Sequence, residues 1–207
     1  NRCLYQAARG QQWQIVVSAS LNEDRLKRFL ASESPYYVTT PYYFFAEARH
    51  PAGFSSEAFK AGGGVRLCGL SGYNYTAYGL DNRVVDRLSK DYDALIERLQ
   101  RGTCDVMLAE PEIIGGFLVL NGQGNLTDLE GIQAARFPGG DPVGFHFLVP
   151  RALPFARALM AHIDAELNKM RNAGVLERLH QTWQPDWCWK KPLPTQPVSA
   201  CTPDVPE

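Results

Sequence analysis

The residues that could act as nucleophiles, bases or metal ligands are spread along the chain instead of forming a motif. The five cysteines form no paired C-x-x-C clusters of the kind that bind structural zinc, and the four histidines have no metal-ligand spacing. No G-x-S-x-G nucleophile motif occurs, and Gly62-Gly63-Gly64 lacks the Lys-Ser/Thr that completes a phosphate-binding loop. Catalysis needs a nucleophile–base pair or a metal cluster, so we predict no catalytic centre, no metal site and no cofactor.

Two of the cysteines, Cys68 and Cys104, lie in or beside segments that have strand character. Adjacent strands of one parallel sheet could bring their sulfurs together, so we predict a Cys68–Cys104 disulfide. Cys188 and Cys201 bracket a Pro-rich tail of the kind that oxidising compartments tie down. The alternative is that all five cysteines, including Cys3, are buried free thiols of a cytosolic protein.

The composition argues against two classes of partner. The net charge is −1 and the basic residues are scattered, so the chain lacks the basic stripe that a nucleic-acid-binding protein needs. No run of about 18 apolar residues occurs, which predicts no membrane span. Hydrophobic residues make up 45% of the 207 residues, enough for the core of one α/β unit or of two small lobes.

The elements that must position any site alternate between strand and helix. The predicted strands cover residues 13–20, 65–70, 84–85, 105–109 and 145–149, and the predicted helices cover residues 2–9, 91–101, 154–171 and a shorter segment that carries Leu176, Leu179 and Trp183. Residues 34–45 form an extended run rich in Tyr and Phe, and residues 71–74 form a loop that is expected to open a helix. A strand, a helix and a strand between residues 65 and 109 imply parallel pairing with a right-handed crossover.

Four segments carry a resemblance to a known family. They are residues 18–25 followed by 34–37, then residues 65–72, then residues 92–110, and finally residues 167–183. The first is similar to a serine-rich strand with a T-x-x-R turn and an S-x-P-Y sequence, and the third to an L-x-x-G-x-x-D-A helix-strand unit. In this order they resemble the family 3 extracytoplasmic solute-binding proteins, the polar amino-acid receptors of bacterial ABC transporters.

The resemblance implies a fold and a domain division. The implied fold is the α/β, two-lobed type II periplasmic-binding-protein fold, in which each lobe is a mostly parallel sheet flanked by helices. Residues 1–42 and 149–190 would form lobe 1, residues 43–148 would form lobe 2, and residues 191–207 would form a Pro-rich tail. Family members carry a strand and a helix ahead of the segment that begins at Asn1, so the N-terminal part of lobe 1 is expected to be missing.

The resemblance also implies a carboxylate-binding group around Arg25. Arg25 matches the family arginine that clamps the ligand carboxylate with a bidentate fork, and Ser18 and Ser20 match positions that also face the ligand. The alternative for Arg25 is a surface arginine in a polar turn. Arg25, Ser18 and Ser20 are therefore the ligand-binding candidates of lobe 1, together with Tyr37, which could supply a stacking wall. Tyr37 could equally be core packing.

In lobe 2 the candidates follow the ends of two predicted strands. Leu70, Tyr73, Asn74 and Tyr75 fall at the family's G-T-T segment, where a helix N-terminus could present N–H groups to a carboxylate. Tyr73 and Asn74 are bulkier than the family residues, which argues for a larger, aromatic or non-standard polar ligand. Glu110 matches the family aspartate that binds the ligand ammonium, and the alternative is that Glu110 or Glu112 caps the turn that follows.

The function that the resemblance implies is capture of a small polar ligand, such as an amino acid, for the membrane permease of an ABC transporter. The protein is then expected to be a periplasmic or otherwise extracytoplasmic monomer that is not an enzyme and has no nucleic-acid partner. Two alternatives share the fold. One is a ligand-sensing periplasmic domain, and the other is a dehydratase-type enzyme in which Glu110 could serve.

Overall fold

The computed structural model of the chain describes residues 2–11, 13–60, 64–122 and 129–183. Its strands are β1 (Val16–Ala19), β2 (Phe29–Ala31), β3 (Tyr37–Thr39), β4 (Tyr42–Ala46), β5 (Leu67–Leu70), β6 (Asp86–Ser89), β7 (Val106–Ala109), β8 (Ile132–Arg136) and β9 (Val143–Pro150). Its α-helices are α1 (Arg2–Ala8), α2 (Glu23–Arg28), α3 (Tyr92–Gln100), α4 (Pro111–Leu120), α5 (Ala156–Asn172) and α6 (Val175–Trp183), and short 3-10 helices cover Ser56–Phe59 and Thr76–Tyr78. The predicted Pro-rich tail, Cys188 and Cys201 lie outside the described residues. In that described part, no helix is long and apolar enough to cross a membrane.

The described residues belong to two compact units. The first unit is formed by Asn1–Thr39 and Val143–Trp183, and the second unit by Thr40–Pro142. The first unit therefore combines two segments that are separated by more than 100 residues of sequence.

The first unit is built on β9, which pairs with β1, β2 and β3. All three pairings are antiparallel, with Tyr37 opposite Phe145 and Ala31 opposite Leu148. The predicted mostly parallel sheet is wrong for this unit, because β9 lies between β1 and β2 and runs opposite to every strand with which it pairs. Phe29 and Leu148 are buried on this sheet with Ala7 of α1.

The second unit has a five-stranded sheet in the order β6-β5-β7-β4-β8. β5 is parallel to β6 and β7, as the sequence predicts, whereas β4 is antiparallel to β7 and β8. The crossover helix α3 begins after Asp91, whose side chain accepts a hydrogen bond from the Ala94 N–H at 2.9 Å. Its apolar residues Leu95 and Leu99 are fully buried against the sheet.

The predicted disulfide between Cys68 and Cys104 is present in the second unit. Cys68 lies in β5 and Cys104 lies two residues before β7, and their Cα atoms are 6.0 Å apart. Parallel pairing of β5 with β7 brings the two residues together, for the reason expected from the sequence. Both side chains are buried in the core that α3 covers.

Candidate functional site

In the first unit, helix α2 positions Arg25 against Ser20. The side chain of Asn22 accepts a hydrogen bond from the Arg25 N–H at 2.9 Å and so begins the helix. The Arg25 Nη1 donates to the carbonyl oxygen of Ser20 and, at 3.1 Å, to the Ser20 Oγ. Partial burial lowers the pKa of the guanidinium below its ordinary value, and within the described residues Nε and Nη2 have no hydrogen-bond partner. The sequence predicted a polar turn here, but Asn22 caps a short helix.

Ser18, the other candidate on this segment, has an unusual backbone conformation. Its φ of 54° lies in the left-handed region, which few residues other than glycine adopt. Its Oγ lies 2.6 Å from the hydroxyl of Tyr36, and its side chain is exposed. Ser18 therefore contacts Tyr36, whereas the predicted wall residue Tyr37 stacks on Phe145 with ring centroids 4.6 Å apart. That face of Tyr37 is used for packing on β9.

In the second unit, the loop after β5 does not open an α-helix, and that expectation is wrong. It contains only the 3-10 helix Thr76–Tyr78. The side chain of Asn82 caps the start of this short helix, because its Oδ1 accepts a hydrogen bond from the Tyr75 N–H at 2.8 Å. The same amide donates to the Oδ1 of Asn74 at 3.2 Å, so Asn74 helps to hold the loop.

Tyr75 lies in the core of the second unit. It is 2% exposed, and its hydroxyl accepts a hydrogen bond from the Leu70 N–H at 2.6 Å. Leu70 is itself buried at the end of β5. The backbone donor of Leu70 is therefore satisfied by Tyr75, and ligand contacts by these two residues stay a prediction that their packing does not favour.

Glu110 follows β7 and occupies the N-cap position of α4, but its side chain makes no capping hydrogen bond. It is 5% exposed, and its Oε1 accepts a hydrogen bond from the Tyr78 hydroxyl at 3.4 Å. Burial, followed by repulsion from Glu112, raises the pKa of Glu110 to about 7, against the effect of its own backbone N–H. Glu110 is thus a carboxyl group that titrates near neutral pH.

Four tyrosines interact electrostatically with this carboxyl group. The tyrosine cluster consists of Tyr73, Tyr75, Tyr78 and Tyr92, and the pKa of each is raised, first by burial and also by the charge of Glu110. Tyr73 and Tyr92 are hydrogen-bonded to each other, and Tyr73 is 36% exposed. The sequence singled out Tyr73 and Tyr75. It gave no signal for Tyr78 or Tyr92, because their proximity to Glu110 depends on the packing of separate elements.

Glu112, in the first turn of α4, is a second acid with an unusual environment. Its Oε1 accepts a hydrogen bond from the Thr40 N–H at 3.4 Å, and its Oε2 is buried without a partner in the described residues. Desolvation raises the pKa of Glu112 to about 7. α4 therefore carries two acids near its N-terminus that burial makes harder to ionise.

The described residues contain no group of three or more His, Cys, Asp or Glu side chains that could hold a metal ion. One Ser–His pair exists, with the Ser32 Oγ 3.3 Å from the His146 Nδ1. Both residues are buried, and the Ser32 Oγ also donates to the Ser34 carbonyl and accepts from the Phe147 N–H. This pair ties the chain after β2 to β9 and has the contacts of a structural link.

Comparisons with known proteins bear on the fold. Neither the scan of protein-family models nor the search of curated proteins found a match. An amino acid ABC transporter substrate-binding protein from Streptococcus pneumoniae bound to L-arginine is similar in structure, with a TM-score of 0.65 and 16% identity over 87% of this chain and 71% of that chain. The GluR0 ligand-binding core in complex with L-glutamate has a TM-score of 0.64 and 14% identity, over 88% and 76% of the two chains.

A third similar structure is that of an ancestral amino acid-binding protein described as a precursor of cyclohexadienyl dehydratase. Its TM-score is 0.63 and its identity is 13%, over 87% of this chain and 73% of that chain. These identities are low, so the likeness concerns the fold. Together with the two α/β units described above, it confirms the predicted fold class: the chain has the type II periplasmic-binding-protein fold.

Proposed function

We propose that the protein is a solute-binding protein that captures an amino acid or a related small polar ligand. The observation that carries this proposal is the state of Arg25. Its guanidinium is half-buried and held by Ser20 through one nitrogen, while Nε and Nη2 have no partner in the described residues. A planar fork fixed in this way can bind a carboxylate through two parallel hydrogen bonds.

The fold supports the same proposal. Two of the similar structures are complexes with L-arginine and L-glutamate, and the third is an amino acid-binding protein. In the first unit we propose Arg25, Ser18 and Ser20 as contacts for a ligand carboxylate. In the second unit we propose Glu110 as a contact for a ligand ammonium. Tyr73, the exposed member of the tyrosine cluster, adds an aromatic contact.

The proposal extends to compartment and partner. The protein then acts as a monomer that delivers its ligand to the membrane permease of an ABC transporter. A disulfide buried in the second unit supports an extracytoplasmic location, because disulfides persist mainly in oxidising compartments.

The first test is a thermal-shift screen of the protein against the twenty amino acids, polyamines and small organic acids. A ligand that binds only the native state stabilises it by mass action, by about 3 kcal/mol at one hundred times its Kd. We expect at least one amino acid to raise the Tm, and Arg25→Ala to abolish that rise. Arg28→Ala is the matched control, because Arg28 is an exposed arginine on the same helix, and it should keep the full shift. An unchanged shift in Arg25→Ala would remove Arg25 from the site, and no shift with any compound would contradict the proposed function.

A catalytic role on the same fold is the second candidate, with Glu110 as the observation that favours it. A carboxyl group whose pKa is about 7 suits general acid–base catalysis, and one similar structure is described as the precursor of a dehydratase. We infer binding without catalysis, since two of the similar structures are complexes with intact amino acids, L-arginine and L-glutamate. Following each ligand from the screen by proton NMR after incubation with protein distinguishes the two, because a dehydratase would release a dehydrated product.

A further inference from the structure

Glu110 is buried in the second unit without a neutralising cation. It is 5% exposed, and no salt bridge between described residues includes it. The one hydrogen bond that it accepts from another side chain, from Tyr78 at 3.4 Å, is long for an O–H···O bond. A buried carboxylate needs a cation or several good donors to remain ionised. The protein alone therefore stabilises the charged form of Glu110 poorly.

Five described groups interact electrostatically with Glu110, and none of them is basic. Four are tyrosine hydroxyls from the loop after β5, its 3-10 helix and the start of α3, and the fifth is the acid of α4. They are Tyr73, Tyr75, Tyr78, Tyr92 and Glu112. The charge of Arg87 in β6 acts on Tyr75 of the cluster, whereas no effect of this arginine on Glu110 is found. A positive charge that reached Glu110 would have to come from outside these elements.

We propose that Glu110 holds a proton while the site is empty and releases it to water when a ligand ammonium group binds, so that ligand affinity rises with pH through the neutral range. The positive charge of the ammonium then replaces the proton, and the ligand keeps its own protons. The inference rests on the proposed function, because it takes the ammonium of a captured amino acid as the group that meets Glu110.

The titration of Glu110 sets the size of the effect. Desolvation raises its pKa to about 7, so roughly half of the molecules carry the proton at pH 7. Only the ionised form attracts an ammonium group, so affinity falls about tenfold for each pH unit below 7 and levels off above it. Between pH 8 and pH 5.5 we expect the Kd to increase by about 30-fold.

The test uses L-arginine first, because none of its charges changes between pH 5.5 and 8, and then any other amino acid that the thermal screen identifies. Calorimetric titrations at pH 7 in phosphate and in Tris, which have different ionisation enthalpies, count the protons released. We expect about half a proton per bound ligand at pH 7 and close to one at pH 5.5. Binding without proton release, or with a constant Kd over this range, would overturn the inference while leaving the proposed function intact.

Three variants assign the proton to one residue. Glu110→Gln should bind more weakly at pH 8 and should lose both the proton release and the pH dependence. Glu112→Gln is the matched control on the same helix and should keep both, with the midpoint moved to lower pH because it removes the repulsion. Tyr78→Phe should move the midpoint to higher pH, because the hydrogen bond from Tyr78 favours ionised Glu110. Circular dichroism checks that each variant folds.

The outcomes separate the two levels of the proposal. Full pH dependence in Glu110→Gln would assign the proton to another group and overturn the inference alone. No binding of any amino acid between pH 5.5 and 8 would contradict the proposed function, and the inference with it.

Discussion

At the scale of single residues, the loop after β5 depends on the missing side chain at Gly69. A Cβ placed there would overlap the hydroxyl of Tyr75 and lie 2.7 Å from its Cε2 atom. Tyr75 cannot move aside easily, because it is 2% exposed and its hydroxyl is hydrogen-bonded to the Leu70 N–H. Because Gly69 has no side chain, Tyr75 can pack against it and accept the hydrogen bond from the Leu70 N–H at the end of β5.

We predict that Gly69→Ala lowers the free energy of unfolding by about 1–3 kcal/mol, since overpacking a filled core forces side chains and backbone to shift. Gly116→Ala is the matched control, because Gly116 lies inside α4 and its added Cβ would meet no heavy atom within 4 Å. Alanine favours helix over glycine by about 1 kcal/mol, so this control should be as stable as the parent or more stable. Urea unfolding followed by circular dichroism measures both. Equal stability of Gly69→Ala and the parent would show that Tyr75 has room to move.

What could be predicted from the sequence at this scale depended on local contacts. Ser20 and Arg25 lie five residues apart on either side of a cap, and their contact follows from one turn of chain. Tyr78 lies 32 residues from Glu110 in sequence, and no local pattern could place its hydroxyl on that carboxyl group. Only part of the candidate site of the second unit could therefore be predicted from the sequence.

At the scale of elements, amphipathic pattern and capping decided which elements could be predicted. α3 was expected at residues 91–101 and runs from Tyr92 to Gln100, because Asp91 caps it and its apolar residues form one buried stripe. α4 gave no signal, because it is apolar on most sides and contains Gly115 and Gly116. β8 (IQAAR) was missed as well, since two alanines replace the β-branched residues typical of strands.

Two further elements were displaced relative to their sequence signals. The strand expected at residues 84–85 is found at Asp86–Ser89, where Cys68 pairs with Asp86. The extended run at residues 34–45 divides into β3 of the first unit and β4 of the second. Neither shift could be predicted from residue propensity, because strand pairing fixes where these strands begin: β6 pairs with β5, β3 with β9, and β4 with β7 and β8.

The disulfide is the covalent link between the elements of the second unit, and it closes a loop with a sequence separation of 36 residues. We predict that Cys68→Ala/Cys104→Ala lowers the free energy of unfolding by about 3–4 kcal/mol, because the unfolded chain regains the entropy of that loop. Guanidinium unfolding with and without dithiothreitol measures it. Reductant should lower the midpoint of the parent to that of the double variant and leave the double variant unchanged. A midpoint of the parent that does not respond to reductant would contradict a stabilising role.

At the scale of the whole molecule, two acids buried without cations make global stability depend on pH in an unusual direction. Glu110 and Glu112 both have a pKa of about 7 in the folded protein, raised from the ordinary value near 4.5 that they regain on unfolding. Between these values the folded state binds more protons than the unfolded state, so stability falls as pH rises. Each acid contributes a loss of about 3 kcal/mol that begins near pH 4.5 and is complete above pH 7. A protein that keeps such groups gives up stability at neutral pH for charge inside a candidate binding site.

The substitution Glu110→Gln keeps the shape of the side chain and removes its titration. The stability of the variant relative to the parent should rise between pH 4.5 and pH 8 by about 3 kcal/mol, because only the parent must ionise a buried group over that range. Glu130→Gln serves as the control, since Glu130 is exposed in the same unit and its substitution should change stability by less than about 0.5 kcal/mol at every pH. Urea unfolding at half-unit pH steps gives stability against pH for the parent and both variants. If unfolding has two transitions, the effect should appear in one of them, because Glu110 lies in the second unit. Parallel curves for Glu110→Gln and the parent would mean that Glu110 is already ionised at low pH in the folded protein, and would remove the physical basis for proton release on ligand binding.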